Sequence, residues 1–173
     1  KDGQLPAITV TEGSTALSVR GKVDRVDGWI KDGKLYLRVV DYKTGQKAFD
    51  LSDVRYGLGI QMLLYLFALQ KEGSGYFGMP VVPAGVLYTP AREIISREDR
   101  SIPPEKLEAV LRRKLRRTGM LLSEPEVLRA MEHSALEKPC YLPIGKVTDG
   151  QPAALLPNLR VDTAEMGRMA RYI

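Results

Sequence analysis

Among its 173 residues the chain has only one cysteine, one histidine and one tryptophan. A single thiol, Cys140, excludes a disulfide framework and any self-contained zinc or iron–sulfur site, and it suits a reducing compartment. No apolar run is longer than Met62–Leu69, whereas a membrane helix needs about 20 such residues. The opening Lys1-Asp2-Gly3-Gln4 has neither an initiator Met nor the apolar stretch of a signal peptide, so a piece of a longer protein is expected. Glycine and proline are scattered without a period, which excludes collagen-like and low-complexity classes. What is present is a hydrophobic fraction of 44%, enough for one globular domain spanning residues 1–173. Lys and Arg outnumber Asp and Glu by 26 to 21. That balance permits an anionic partner such as nucleic acid without requiring one.

Along the chain, Ala7–Val10 and Thr15–Val26 read as strands around a Glu12-Gly13-Ser14 turn, with Ser18, Arg20, Lys22 and Asp24 on one face of the second. Asp32-Gly33 marks a hairpin, so Leu35–Tyr42 is expected to pair antiparallel with the strand before it. A helix capped by Asp50 or Ser52 is expected to run to about Gln70 and stop at Gly73-Ser74-Gly75, with strand Val81–Thr89 behind it. Strand, helix, strand predicts a crossover with parallel strands. The fold class is therefore α/β, a mixed central β-sheet flanked by helices. Residues 103–173 are expected to be helical, with helices at Pro103–Arg117, Glu124–Glu132 and Thr163–Ile173 and a Pro-rich loop at Pro139–Pro157.

Three short segments carry the chemistry: Gly21-Lys22-Val23-Asp24-Arg25, Val39-Val40-Asp41-Tyr42-Lys43-Thr44-Gly45 and Gln61-Met62-Leu63-Leu64-Tyr65. Asp41 and Lys43, two apart on a strand, point to one face. A carboxylate beside an ammonium suits a site for a divalent metal and a water: the carboxylate binds Mg²⁺ through oxygen, and the lysine orients the water or stabilises developing charge. Asp24 on the neighbouring strand supplies a second carboxylate. Gln61 and Tyr65, at i and i+4, share one face of an otherwise apolar helix.

In this order, Asp24, Asp41-Tyr42-Lys43 and Gln61-x-x-x-Tyr65 resemble the PD-(D/E)XK nuclease superfamily, in its RecB-type branch, and most of all the nuclease domains of the AddB group of bacterial helicase–nuclease subunits. The resemblance covers the core motifs, about residues 15–89, and implies a restriction-endonuclease-like core. It implies that Asp24, Asp41 and the Tyr42 backbone carbonyl hold Mg²⁺ (or Mn²⁺), that Lys43 assists the attacking water, and that Gln61 and Tyr65 support the site and contact DNA. It implies a DNA exonuclease or endonuclease acting in double-strand break repair and recombination, in the bacterial cytoplasm, on single strands delivered by an AddA-type helicase partner. It also implies an iron–sulfur cluster in the whole AddB protein, but no ligand for it in this stretch, since Cys140 does not match the cluster spacing. A family helix carrying an acidic residue or histidine near the metals has no counterpart before Ala7, so part of the working apparatus is expected outside this stretch.

Asp27 rivals Asp24 as a ligand, although alternation puts it on the opposite face. Lys43-Thr44-Gly45 matches a penicillin-binding box, but no serine stands three residues before a lysine, so that chemistry is excluded. His133 has no metal-spaced partner. In Pro103–Arg117, the residues Arg112, Arg113, Arg116 and Arg117 crowd the side away from an apolar stripe. They form either a solvated helix face or a phosphate-binding one, and they are carried forward as DNA-contact candidates. Two other functions stand beside the nuclease of a helicase complex: another RecB-family repair or phage nuclease, and a catalytically silent DNA-binding or scaffold module.

Overall fold

The computed structural model describes residues 8–19, 21–45, 48–91, 101–144 and 160–172. Strands β1 (Ile8–Glu12) and β2 (Thr15–Val19) form a small antiparallel sheet around Gly13-Ser14. The expected long strand Thr15–Val26 is thus broken. The chain leaves β2 at Val19, and β3 (Arg25–Lys31) starts a second sheet. Asp24 falls at the bend just before β3 and not within a strand.

The second sheet has the order β3-β4-β5-β6-β7, with β4 at Lys34–Lys43, β5 at Val81–Pro90, β6 at Thr118–Leu122 and β7 at Arg160–Val161. β3 and β4 pair antiparallel through the Asp32-Gly33 turn, whose two residues both take positive φ. β4 and β5 pair parallel across a helical crossover, as the pattern predicts, so the sheet is mixed. β6 and β7 lie in the part expected to be helical. Thr118-Gly119-Met120-Leu121-Leu122 is too short to show a period, and burial on both faces removes any alternation.

Asp50 caps a short helix α1 (Leu51–Arg55), its Oδ1 accepting the Ser52 N–H at 2.8 Å. Gly57 and Gly59, both with left-handed φ, then separate it from α2 (Gln61–Phe77). The single helix expected from Asp50 to Gln70 is therefore two. α2 also runs through Gly73-Ser74-Gly75 without stopping. Gly73 is buried, and a Cβ there would come within 3.0 Å of Val81, so its absence lets the helix lie close on β5. Termination falls to Gly78, a left-handed C-cap whose N–H bonds the Ser74 carbonyl.

Alternation along β4 divides the core. Leu35, Leu37 and Val39 pack with Leu63 and Leu66 of α2, while Val40 joins Leu87, Leu121 and Leu142 on the opposite face. Leu63 and Leu66 have no exposed surface, so truncating either to alanine should cost about 2–5 kcal/mol. The opposite face is bordered by α3 (Pro104–Lys114) and α4 (Pro125–Met131); α5 (Thr163–Tyr172) adds Met166 to the first cluster. Among the described residues no helix is long and apolar enough to cross a membrane.

Candidate active site

Asp41 and Lys43 continue the alternation of Leu35, Leu37 and Val39, so both emerge on the α2 face where β4 ends. Their side chains pair directly, Lys43 Nζ to Asp41 Oδ2 at 2.7 Å. Tyr88, paired in register with Asp41 on β5, lies beneath the ammonium, with Lys43 Nζ 5.7 Å from its ring centroid. The Lys43 pKa stands above its ordinary value. The hydrogen bond to Asp41 is the largest cause, burial works against it, and the charges of Asp41, Tyr88 and Asp24 add to it. Lys43 is therefore a cation that donates, and not a base. Burial, with Asp41 adding, pushes the Tyr88 phenol up.

Asp24 reaches the same strand end. Its Oδ2 accepts the backbone N–H of Tyr42 at 3.0 Å. Ladder pairing between β3 and β4 stops at Arg25 and Val40, so Tyr42 has no β3 partner and Asp24 takes that position. A strand residue directs its N–H and C=O to the same side. The Tyr42 carbonyl therefore points toward the edge where Asp24 sits.

α2 approaches from above. Gln61 Nε2 donates to the Tyr65 hydroxyl at 2.7 Å. Gly21 lies against that hydroxyl and its ring so closely that a Cβ would overlap both. The glycine of the first segment thereby brings the chain leading to Asp24 against the helix. All three sequence segments meet here.

Asp27 is excluded from this cluster. It bonds Arg25 at 2.6 Å and Arg38 at 2.9 Å on the opposite face of the sheet. Arg25 also reaches the Tyr42 hydroxyl at 3.3 Å.

The four arginines expected to act together are separated. α3 ends at Lys114, not at Arg117. Arg112 pairs with Glu108 at 2.5 Å. Arg116 donates to the backbone carbonyls of Leu142 and Ile144, a structural clamp on the Pro-rich segment. Arg117 is half-buried; burial foremost, and then repulsion from Arg38, lowers its pKa. Only Arg113 is exposed and, among the described residues, paired with no carboxylate. The segment itself is held by Glu132, which accepts the N–H groups of Cys140, Tyr141 and Leu142, an anchor that nothing in the sequence announces. His133 is exposed, and Cys140 is a free, half-buried thiol.

Among the described residues, no three His, Cys, Asp or Glu side chains converge. Asp24, Asp41 and the Tyr42 carbonyl form instead an all-oxygen set that leaves places for water and substrate, as Mg²⁺ prefers. Asp41 Oδ2 is buried and, beyond the Lys43 ammonium, receives no donor. The residues present fit a hard divalent cation.

A mixed sheet with a carboxylate-x-lysine strand, a second carboxylate at its edge and a Gln-x-x-x-Tyr helix above it defines a metal-dependent nuclease core. The sequence pattern of the PD-(D/E)XK nuclease superfamily matches residues 3–142, and the chain belongs to that superfamily. It is 34% identical over 172 residues to the B-subunit of the ATP-dependent helicase/deoxyribonuclease of Acetivibrio thermocellus, covering 99% of this chain and 15% of that protein. The corresponding B-subunits of Clostridium acetobutylicum (35% over 150 residues, 86% of this chain and 13% of the relative) and Symbiobacterium thermophilum (32% over 173 residues, 98% and 15%) are similar too. The chain thus spans about one-seventh of these relatives.

Proposed function

We propose that the chain is the nuclease domain of a bacterial ATP-dependent helicase–deoxyribonuclease of the AddB type, cleaving DNA phosphodiester bonds with Mg²⁺ or Mn²⁺. One observation carries the reading: Asp24 grips the peptide between Asp41 and Tyr42, so both carboxylates, a carbonyl and the Lys43 ammonium gather at one strand end. Asp24, Asp41 and the Tyr42 carbonyl would hold the metal. When bound, it would polarise the scissile phosphate and lower the pKa of a coordinated water.

The remaining roles belong to the protein. Lys43 donates to the attacking water or to a phosphate oxygen and offsets the negative charge that develops there. Asp41 holds that ammonium in place, and the buried Tyr88 ring limits its movement. Gln61 and Tyr65 brace the segment that carries Asp24 and present amide and hydroxyl groups toward the substrate. None of these groups reads a base, so cleavage should be independent of sequence.

The names of the relatives support a helicase-coupled setting in the bacterial cytoplasm, with an AddA-type helicase supplying single strands for break repair and recombination, and a cluster-binding segment elsewhere in the polypeptide. The test is a nuclease assay with Mg²⁺ or Mn²⁺ on the domain in its natural polypeptide. Cleavage should vanish in Asp41→Ala; cleavage that persists there overturns the reading.

A further inference from the structure

A cavity of about 410 Å³ opens beside the site, at the carboxyl ends of the parallel strands β4 and β5. Ligands of α/β sheets settle at such strand ends. Its lining includes Lys43, Thr89, Arg113, Lys114, Arg116 and Thr118, and no carboxylate. A second cavity on the other side of α3 is larger, about 730 Å³, but Glu105, Glu108 and Glu137 line it beside its cations. Arg112, on that side, is already paired with Glu108. An anion is therefore favoured in the first cavity and opposed in the second.

The groups of the first cavity divide by what they have left to give. Lys43 is engaged by Asp41 and Arg116 by two backbone carbonyls, so they supply charge. Arg113 is exposed, with no carboxylate partner among the described residues, and presents its fork. The Thr89 hydroxyl is buried and without a hydrogen-bond partner. A hydroxyl in that state costs free energy until something bonds it. A phosphate oxygen meets both demands, since it accepts from a guanidinium and from a hydroxyl.

Resting on the nuclease reading above, we propose that this cavity binds a DNA phosphodiester adjoining the one that is cleaved, with Arg113 and Thr89 as its ligands. Lys43 links the two places, because it borders the cavity and pairs with Asp41. The subsite positions the strand by its backbone and carries no base preference.

The experiment measures binding of a single-stranded oligonucleotide against salt, in EDTA, with the domain in its natural polypeptide. Arg113→Ala should weaken binding and flatten the log–log salt slope by about 0.7, the value for one lost phosphate contact on a single strand. Arg112→Ala should leave the slope as it is. Thr89→Val should weaken binding with an unchanged slope, while its melting temperature holds or rises because an unpaired buried hydroxyl has gone. A wild-type slope in Arg113→Ala, or an equal flattening in Arg112→Ala, overturns the subsite. If Asp41→Ala is inactive in the same preparation, only the subsite has failed; if Asp41→Ala still cleaves, the nuclease reading has failed.

Discussion

The Asp24 carboxylate and the Tyr42 amide, 3.0 Å apart, join the segment entering β3 to the strand that carries Asp41 and Lys43. The bond is structural and the charge is chemical, so the two can be separated. Asp24→Asn keeps an acceptor for the amide but removes the charge. It should fold with nearly wild-type stability and lose metal affinity together with cleavage. Asp24→Ala should in addition lose about 0.5–1.5 kcal/mol. Calorimetric titration with Mn²⁺ and a urea melt of each variant would check this, and tight Mn²⁺ binding by Asp24→Asn would remove Asp24 from the ligand set.

Lys43→Ala should abolish cleavage while single-strand binding is reduced by no more than one phosphate contact, because most affinity comes from the backbone as a whole. Asp41→Ala should abolish cleavage with affinity equal or higher, since a negative charge leaves the path of the substrate. Paired cleavage and anisotropy measurements separate these effects. Loss of both cleavage and affinity in Asp41→Ala would point to a folding defect in place of a missing ligand.

Gly21 has no room for a Cβ against Tyr65. Gly21→Ala should displace the Tyr65 ring and its bond to Gln61 and pull the Asp24 segment out of register. Overpacking of this kind costs about 1–3 kcal/mol, yet activity should fall further than stability does. Pairing it with Tyr65→Leu should restore stability but not full cleavage. If Gly21→Ala alone retains wild-type turnover, the glycine contact does not position the site.

Asp27 responds to acid in a direction its surroundings set. Burial raises its pKa, but the hydrogen bonds and charges of Arg25 and Arg38 outweigh that and hold it below the ordinary 3.8. An acid with a depressed folded pKa contributes stability that is fully present above its unfolded pKa and is lost as pH falls through the folded one. Stability should therefore decline below about pH 4 less steeply in Asp27→Asn than in the wild type. At neutral pH that variant should be destabilised by about 1–3 kcal/mol, because Arg38, with one guanidinium nitrogen already buried and unbonded, loses its partner. Parallel acid branches of the two urea-midpoint curves would contradict this.

Arg116→Ala separates a structural arginine from a DNA-facing one. Losing two bonds to the carbonyls of Leu142 and Ile144 should lower stability by about 1–3 kcal/mol, with little change in the salt dependence of DNA binding beyond that of one charge. Thermal melts beside binding titrations would show it. Full stability in this variant would return Arg116 to the set of DNA contacts.

The motif residues and the hairpin–helix–strand order were legible because each rests on local signals: the Asp-Gly turn, the two-residue alternation that pairs Asp41 with Lys43, and the i, i+4 spacing of Gln61 and Tyr65. The opposite placement of Asp27 followed from the same alternation. Other features were not local. Gly73 reads as a helix stop, but its missing Cβ serves contact with Val81, which lies beyond the helix. β6 has no period because both its faces are covered, so only its neighbours reveal it as a strand. Arg112, Arg113, Arg116 and Arg117 look equivalent in the sequence. The end of α3 at Lys114 and the carbonyls of residues 142 and 144 divide them into a paired surface cation, an exposed one, a clamp and a half-buried charge on the back of the sheet. The sequence alone determined which chemical groups the site has, because spacing along a strand or helix sets direction. Only the tertiary structure decided which cations remain available to a phosphate, because that depends on partners supplied by distant segments.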